Sequence, residues 1–168
     1  MLQQLTSNPS FIIRPTGQDD VELILQFICE LADYEGLLHE VVTDAETLKD
    51  NLFGETPHAR AVIGEFNGNP VAFALYFHNF STFTGKPGIY LEDLYVRPEV
   101  RGQGFGKLML AYLAKLAIDK GCARLEWWVL DWNKPAIDFY HSLGAKAMDE
   151  WTVNRVSGED LNALAKQL

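Results

Sequence analysis

Three glycines in close succession, Gly102, Gly104 and Gly106, stand between Arg101 and Lys107, where an apolar run ends and a helix-periodic run begins. Glycine removes the Cβ, so backbone N–H groups converge on one point, and the positive end of a helix starting there favours an anion. The chemistry this spacing offers is phosphate binding. Upstream, Glu92 and Asp93 lie next to each other within Ile89 to Val96. On a regular strand neighbours face opposite sides, so only one carboxylate addresses a given face unless a bulge intervenes.

A nucleotide-hydrolysis loop needs Ser or Thr after Gly-Lys to hold magnesium, and Leu108 follows Gly106-Lys107 here. A dinucleotide fingerprint needs its third glycine one position later, and a βαβ unit near the start of the chain. A tight turn without a ligand is the remaining structural alternative.

The elements that must position these residues follow from periodicity and turn chemistry. Phe11 to Arg14 reads as a strand, closed by Pro15 and Gly17. Asp19 or Asp20 can cap a helix whose apolar residues Val21, Ile24, Leu25, Ile28, Leu31 and Ala32 recur at helical spacing. A weaker helix, Asp44 to Leu52, is expected to be capped by Thr43 with Glu46 as its box partner. Strands are predicted over Ala59 to Phe66 and Val71 to Phe77, joined by an Asn67-Gly68-Asn69 turn. Phe80 to Gly88 reads as a loop, Ile89 to Val96 as a strand, and Phe105 to Lys120 as a helix stopped by Gly121. A strand over Arg124 to Leu130, a helix starting at Pro135 and a closing strand over Trp151 to Val156 complete the order. This order predicts an α/β (α+β) domain, a mixed and mostly antiparallel sheet with helices on both faces. One domain over residues 1–168 is expected, with residues 1–9 a loose extension.

Composition narrows the function. The chain has 168 residues, 48% of them hydrophobic, and a formal charge of −9. It has no Lys/Arg cluster of the kind that phosphate backbones require, so nucleic acid is not an expected partner, and the charge favours a cationic small substrate. Neither a signal peptide nor a membrane span is evident, so a cytoplasmic protein is expected. Cys29 and Cys122 read as free thiols, and His39, His58, His78 and His141 are too scattered to suggest a metal.

The stretch Arg101-Gly102-Gln103-Gly104-Phe105-Gly106, preceded by Tyr95-Val96-Arg97-Pro98, resembles the acetyl-CoA motif of the GNAT superfamily of N-acetyltransferases. The resemblance extends through Ile13-Arg14-Pro15, Glu30 to Glu35, Phe53 to Pro57, Tyr90 to Val96, Leu130 to Asn133, and Phe139-Tyr140 with Leu143 to Ala145. These segments resemble the diamine and thialysine N-acetyltransferase branch.

That resemblance implies acetyl-CoA as co-substrate, with the pyrophosphate on the amides of Arg101 to Lys107 and the pantetheine along Leu94, Tyr95 and Val96. Asn133, with Lys134, Pro135 and Ala136, is implied at the cofactor arm. It also implies a bulge at Glu92 and Asp93, with Glu92 as water-mediated base and Asp93 adding negative potential. Tyr140 is implied as general acid: a phenol near pKa 10 can protonate a thiolate whose thiol titrates near 8.5. Tyr34 and Glu35 align with residues of the acceptor site. Glu126, Trp127, Trp128 and Glu150 are expected beside it, an acidic and aromatic groove suited to an alkylammonium chain. Phe80-Ser81-Thr82-Phe83 and Leu130-Asp131-Trp132-Asn133 lean toward a thialysine-like or diamine acceptor. The family also implies a homodimer.

Overall fold

The computed structural model describes residues 4–168. The chain divides into two compact units, Met1–Trp128 and Val129–Leu168, and each is described by itself.

The first unit is built on a six-stranded sheet in the order β1(Gln4–Leu5), β2(Phe11–Pro15), β3(Arg60–Phe66), β4(Asn69–Ser81), β5(Lys86–Val96), β6(Leu125–Trp127). Every pairing is antiparallel except β5 with β6, which is parallel. That exception follows from the connection: α3(Phe105–Asp119) crosses between the two strands, as a parallel pair requires. The sheet and the helices on both of its faces match the fold expected from the sequence.

One face packs against α1(Val21–Glu35) and α2(Ala45–Phe53). Ile24 and Phe27 of α1 and Leu52 of α2 close over Ile63, Phe73, Leu75 and Tyr95, and Phe27 stacks on Phe73 with ring centroids 5.3 Å apart. The opposite face receives α3, where Phe105 lies parallel to Phe11 at 4.2 Å. Both are essentially fully buried, and burying a side chain of this size contributes roughly 1.5–3 kcal/mol.

Several expectations need correction. The cap of α2 is Asp44, whose carboxylate accepts from the Thr47 amide at 2.8 Å, one residue beyond Thr43. Asp20 occupies the cap position of α1 but makes no cap bond; its carboxylate is held in a two-pronged pair with Arg14, 2.8 Å on each arm. Phe80 to Gly88 is a hairpin rather than a loop, since β4 and β5 run on to Ser81 and Lys86 and leave only 82–85 as the tip. The predicted strand from Arg124 to Leu130 is reduced to Leu125–Trp127, the stretch that finds partners on β5. Gln4 and Leu5, expected to be loose, pair with Ile13 and Ile12; the first three residues of that extension lie outside the described part.

The second unit contains α4(Lys134–Ser142) and α5(Gly158–Ala165), the latter unforeseen. Trp151 to Val156 forms no strand, and Trp151 is 69% exposed. Its alternating pattern fits a strand, but a strand exists only where its backbone joins a ladder, and this segment joins none among the described residues. Among the described residues no helix is long and apolar enough to cross a membrane.

Candidate active site

The glycine turn takes the form the sequence suggests. Gly102 and Gly104 have φ of 81° and 83°, values that favour glycine, and Gly104 is the residue before the first turn of α3. No side chain caps that helix start, so its leading amides point outward with the positive end of a fifteen-residue helix behind them. Phe105 is committed to the core, so it offers a ligand only its backbone; Gln103 and Lys107 are exposed beside it.

Arg101 does something the motif does not announce. Its side chain folds back, donating from Nε to the Val96 carbonyl at 2.8 Å, and its guanidinium lies 4.8 Å from the Tyr34 ring centroid and 5.5 Å from that of Tyr95. The turn is thereby tied to the C-terminal end of α1, where Tyr34 and Glu35 sit.

The end of β5 approaching the turn is open on one side. Ile89, Tyr90 and Leu91 pair with Leu125, Glu126 and Trp127; beyond Leu91, β5 has no partner on β6 among the described residues. The backbone from Glu92 to Val96 thus presents one edge that, apart from the Val96 carbonyl held by Arg101, is able to bond an extended chain as an added strand does.

Glu92 and Asp93 sit on a β-bulge. Leu75 faces Asp93 and Tyr76 faces Leu91, which leaves Glu92 without a partner across the ladder. Because partners across an antiparallel ladder share a face, Asp93 points to the side of the sheet covered by α1. Glu92 is exposed and Asp93 half-buried. Burial, followed by the charges of Glu92 and Glu35, pushes the Asp93 carboxyl up to about 7. Burial also raises Glu35. Tyr34, Glu35, Glu92 and Asp93 therefore gather at the open end of β5, next to Arg101.

Glu126, Trp127 and Trp128 are near the parallel edge. Glu126 is opposite Tyr90, and Trp128 meets the Tyr90 ring edge-on at 5.7 Å, so both share the face of Asp93. Trp127 pairs with Leu91 and belongs to the other face. Glu126 is engaged by Arg124 and Asn79. Phe77, which stacks on Tyr90 at 5.0 Å, Asn79 and Arg124 were missed by sequence reasoning. The signal available for Phe77 and Tyr90 was their alternation with core residues, which becomes informative only once the register across β4 and β5 is known.

The remaining expected residues lie in the second unit. Asn133 is buried and caps α4, accepting from the Ala136 amide at 3.4 Å; Pro135 occupies the first turn, and Lys134 pairs with Asp138 at 2.7 Å. Tyr140 is half-buried with its ring 5.5 Å from that of Phe139, and Glu150 is exposed.

Comparison with known proteins bears on this arrangement. The profile of the acetyltransferase (GNAT) family matches residues 26–145. The chain is 41% identical over 165 residues to a thialysine N-epsilon-acetyltransferase of Bos taurus, covering 92% of this chain and 96% of that protein. It is 45% identical over 94 residues to an L-ornithine N5-acetyltransferase of Arabidopsis thaliana, covering 56% of this chain and 41% of that protein. Among solved structures, an integron cassette protein from the mobile metagenome of V. cholerae matches with a TM-score of 0.78 and 27% identity, over 94% of this chain and 98% of that one.

Proposed function

Because the chain belongs to the acetyltransferase (GNAT) family, we propose that it moves an acetyl group from acetyl-CoA to a primary amine of a small cationic acceptor of the thialysine or diamine kind. The observation that carries this reading is the open edge of β5 from Glu92 to Val96 running into the glycine turn at the start of α3. An extended pantetheine arm fits the first and a pyrophosphate the second, with Gly102 to Lys107 and the amides of Leu94 and Val96 as donors.

Acetyl-CoA supplies an acetyl thioester. The acceptor amine must be neutral to attack the carbonyl carbon; as its nitrogen–carbon bond forms and the carbon–sulfur bond breaks, the thiolate leaves. The amine's proton goes to a carboxylate, and the thiolate takes one from an acid. Glu92 is our candidate for the first role, acting through water. Asp93 is a second candidate, favoured by its position near neutrality, since a base works best when its pKa lies near the working pH. An amide at the end of β5 near Leu94 polarises the carbonyl. Tyr140 protonates the thiolate, a transfer that costs about 2 kcal/mol on the reference pKa values of phenol and thiol and is drawn forward by amide formation and product release, and Asn133 with Lys134, Pro135 and Ala136 supports the cofactor arm. Tyr34, Glu35, Asp93 and Trp128 draw the cationic acceptor, with Glu150 as a further acidic candidate.

Tyr140→Phe tests the assignment of the acid. Turnover should fall at least tenfold with acetyl-CoA affinity retained; an unchanged rate would remove Tyr140 from the mechanism. The same reading treats residues 1–168 as one transferase domain and takes the protein as a cytoplasmic homodimer, for which the molar mass of the purified chain by multi-angle light scattering and fractionation of expressing cells are the checks.

A further inference from the structure

Arg97 stands between the last rung of β5, where Val96 pairs with Ala72, and the single helical turn Pro98–Val100 that leads to the glycines. Proline biases the residue before it toward extended backbone, and Arg97 has φ of −55° and ψ of 137°. Its amide donates to the Val71 carbonyl at 2.9 Å, and its carbonyl accepts from the Val100 amide at 3.1 Å. The backbone is therefore held on both sides before the side chain adds anything.

The side chain reaches two further elements. Nε and Nη2 donate to the two carboxylate oxygens of Glu30 on α1, at 3.0 and 2.8 Å, and Nη1 donates to the Pro70 carbonyl on β4 at 3.0 Å. The guanidinium also lies 4.8 Å from the ring centroid of the fully buried Phe27. Glu30 is held in turn by Gln26, whose Nε2 donates to Oε1 at 2.8 Å. The two side chains of the ion pair keep only 22% and 26% of their surface, and a two-pronged fork fixes direction as well as distance.

This contact is in register with a second one. Glu30 and Tyr34 are one turn apart on α1, Arg97 and Arg101 are likewise four residues apart, and the Arg101 guanidinium lies over Tyr34. The Tyr95 ring links the two, edge-on to Phe27 at 6.3 Å and 5.5 Å from the Arg101 guanidinium. We infer that Arg97, fixed by Glu30, is a positioning residue for the cofactor turn. It sets where the segment 97–101 leaves the sheet, and so where the amides of Gly102 to Lys107 stand relative to the edge of β5. A group that only positions a pyrophosphate cradle acts equally on the ground and transition states, so its loss appears in KM for acetyl-CoA rather than in kcat. This inference rests on the acetyl-CoA reading above.

The test measures KM for acetyl-CoA, kcat, melting temperature and, by calorimetry, Kd for CoA in the wild type, Arg97→Gln, Arg97→Lys, Glu30→Gln and Arg14→Gln. Arg14 is the control, a comparable half-buried arginine paired with Asp20 and Glu65 at the other end of α1, about 15 Å from Glu30 along the helix. Arg97→Gln should raise KM for acetyl-CoA and Kd for CoA about fivefold or more, with kcat within about twofold of the wild type. Arg97→Lys, a point charge in place of the fork, should recover part of the loss. Glu30→Gln, which keeps the size of the partner, should move both constants in the same direction as Arg97→Gln. Arg14→Gln should lower the melting temperature and leave both constants alone. Wild-type KM and Kd in Arg97→Gln and Glu30→Gln, with melting temperature alone lowered, would overturn the inference and reduce the pair to a clamp on the fold. An equal rise of both constants in Arg14→Gln would overturn it too. Because Kd is read without turnover, a wild type that binds CoA and acetylates no amine would defeat the transferase reading while the calorimetric comparison still decides the role of Arg97. A wild type that binds no CoA would defeat both.

Discussion

The guanidinium of Arg101 lies 4.8 Å from the ring centroid of Tyr34, so the first side chain of the glycine turn rests on the last turn of α1. The two halves of the site in the first unit are thereby joined by one contact. A cation over an exposed ring contributes about 0.5–1 kcal/mol. In a double-mutant cycle of Arg101→Ala and Tyr34→Ala, the effects on amine kcat/KM should be non-additive by that amount, roughly two- to fivefold. Strict additivity would mean that the contact does not link the turn to the acceptor side.

Asp93 gives a pH signature of its own. Its carboxyl is raised from 3.8 to about 7, chiefly by burial. The folded state therefore holds a proton that the unfolded chain has released, and stability falls as pH rises between about 4 and 7. Asp93→Asn removes that cost. Its melting temperature should exceed that of the wild type at pH 8, by about 2–4 °C for each kcal/mol relieved, with the difference closing toward pH 4. A variant destabilised equally at both pH values would contradict the buried, charge-crowded position.

The same group separates the two candidate bases. If Asp93 takes the proton, kcat/KM in the wild type rises with pH through about 7 and Asp93→Asn abolishes the rise. Persistence of that limb in Asp93→Asn and its loss in Glu92→Gln would assign the proton to Glu92.

Gly104 tests the turn. Its φ of 83° is costly for other residues by about 1–2 kcal/mol, while nothing lies within 4 Å of an added Cβ. Gly104→Ala should therefore leave the core intact, lower the melting temperature by a few degrees and weaken acetyl-CoA binding at least tenfold by calorimetry. Wild-type affinity in that variant would show that the turn's backbone does not hold the pyrophosphate.

What could be read from the sequence divides along physical lines. The turn at Gly102 to Gly106 and the helix behind it were legible because their signals are local, glycine freedom and a repeat of about 3.6 residues. The hairpin through Phe80 to Gly88 was not. Gly85, Pro87 and Gly88 look like loop punctuation, but Gly88 is glycine because Asn79 and Arg124 fill the space over it, and Pro87 is paired with Phe80. Both reasons are long-range. Glu92 and Asp93 were identifiable as chemical groups, yet the bulge that turns Asp93 toward α1 depends on how β4 aligns with β5. The pairing of Arg124 with Glu126 was likewise beyond reach until β6 had a register. Trp151 to Val156 shows the converse: alternation without a ladder makes no strand.

The central claim is that this chain transfers acetyl from acetyl-CoA to a small amine. It is tested most directly by following free CoA thiol when the purified protein is given acetyl-CoA with thialysine, lysine, ornithine, putrescine or spermidine. We predict amine-dependent release, with thialysine and the short amines ahead of spermidine. Tight binding of acetyl-CoA with no release above the amine-free rate for any of them would contradict the account.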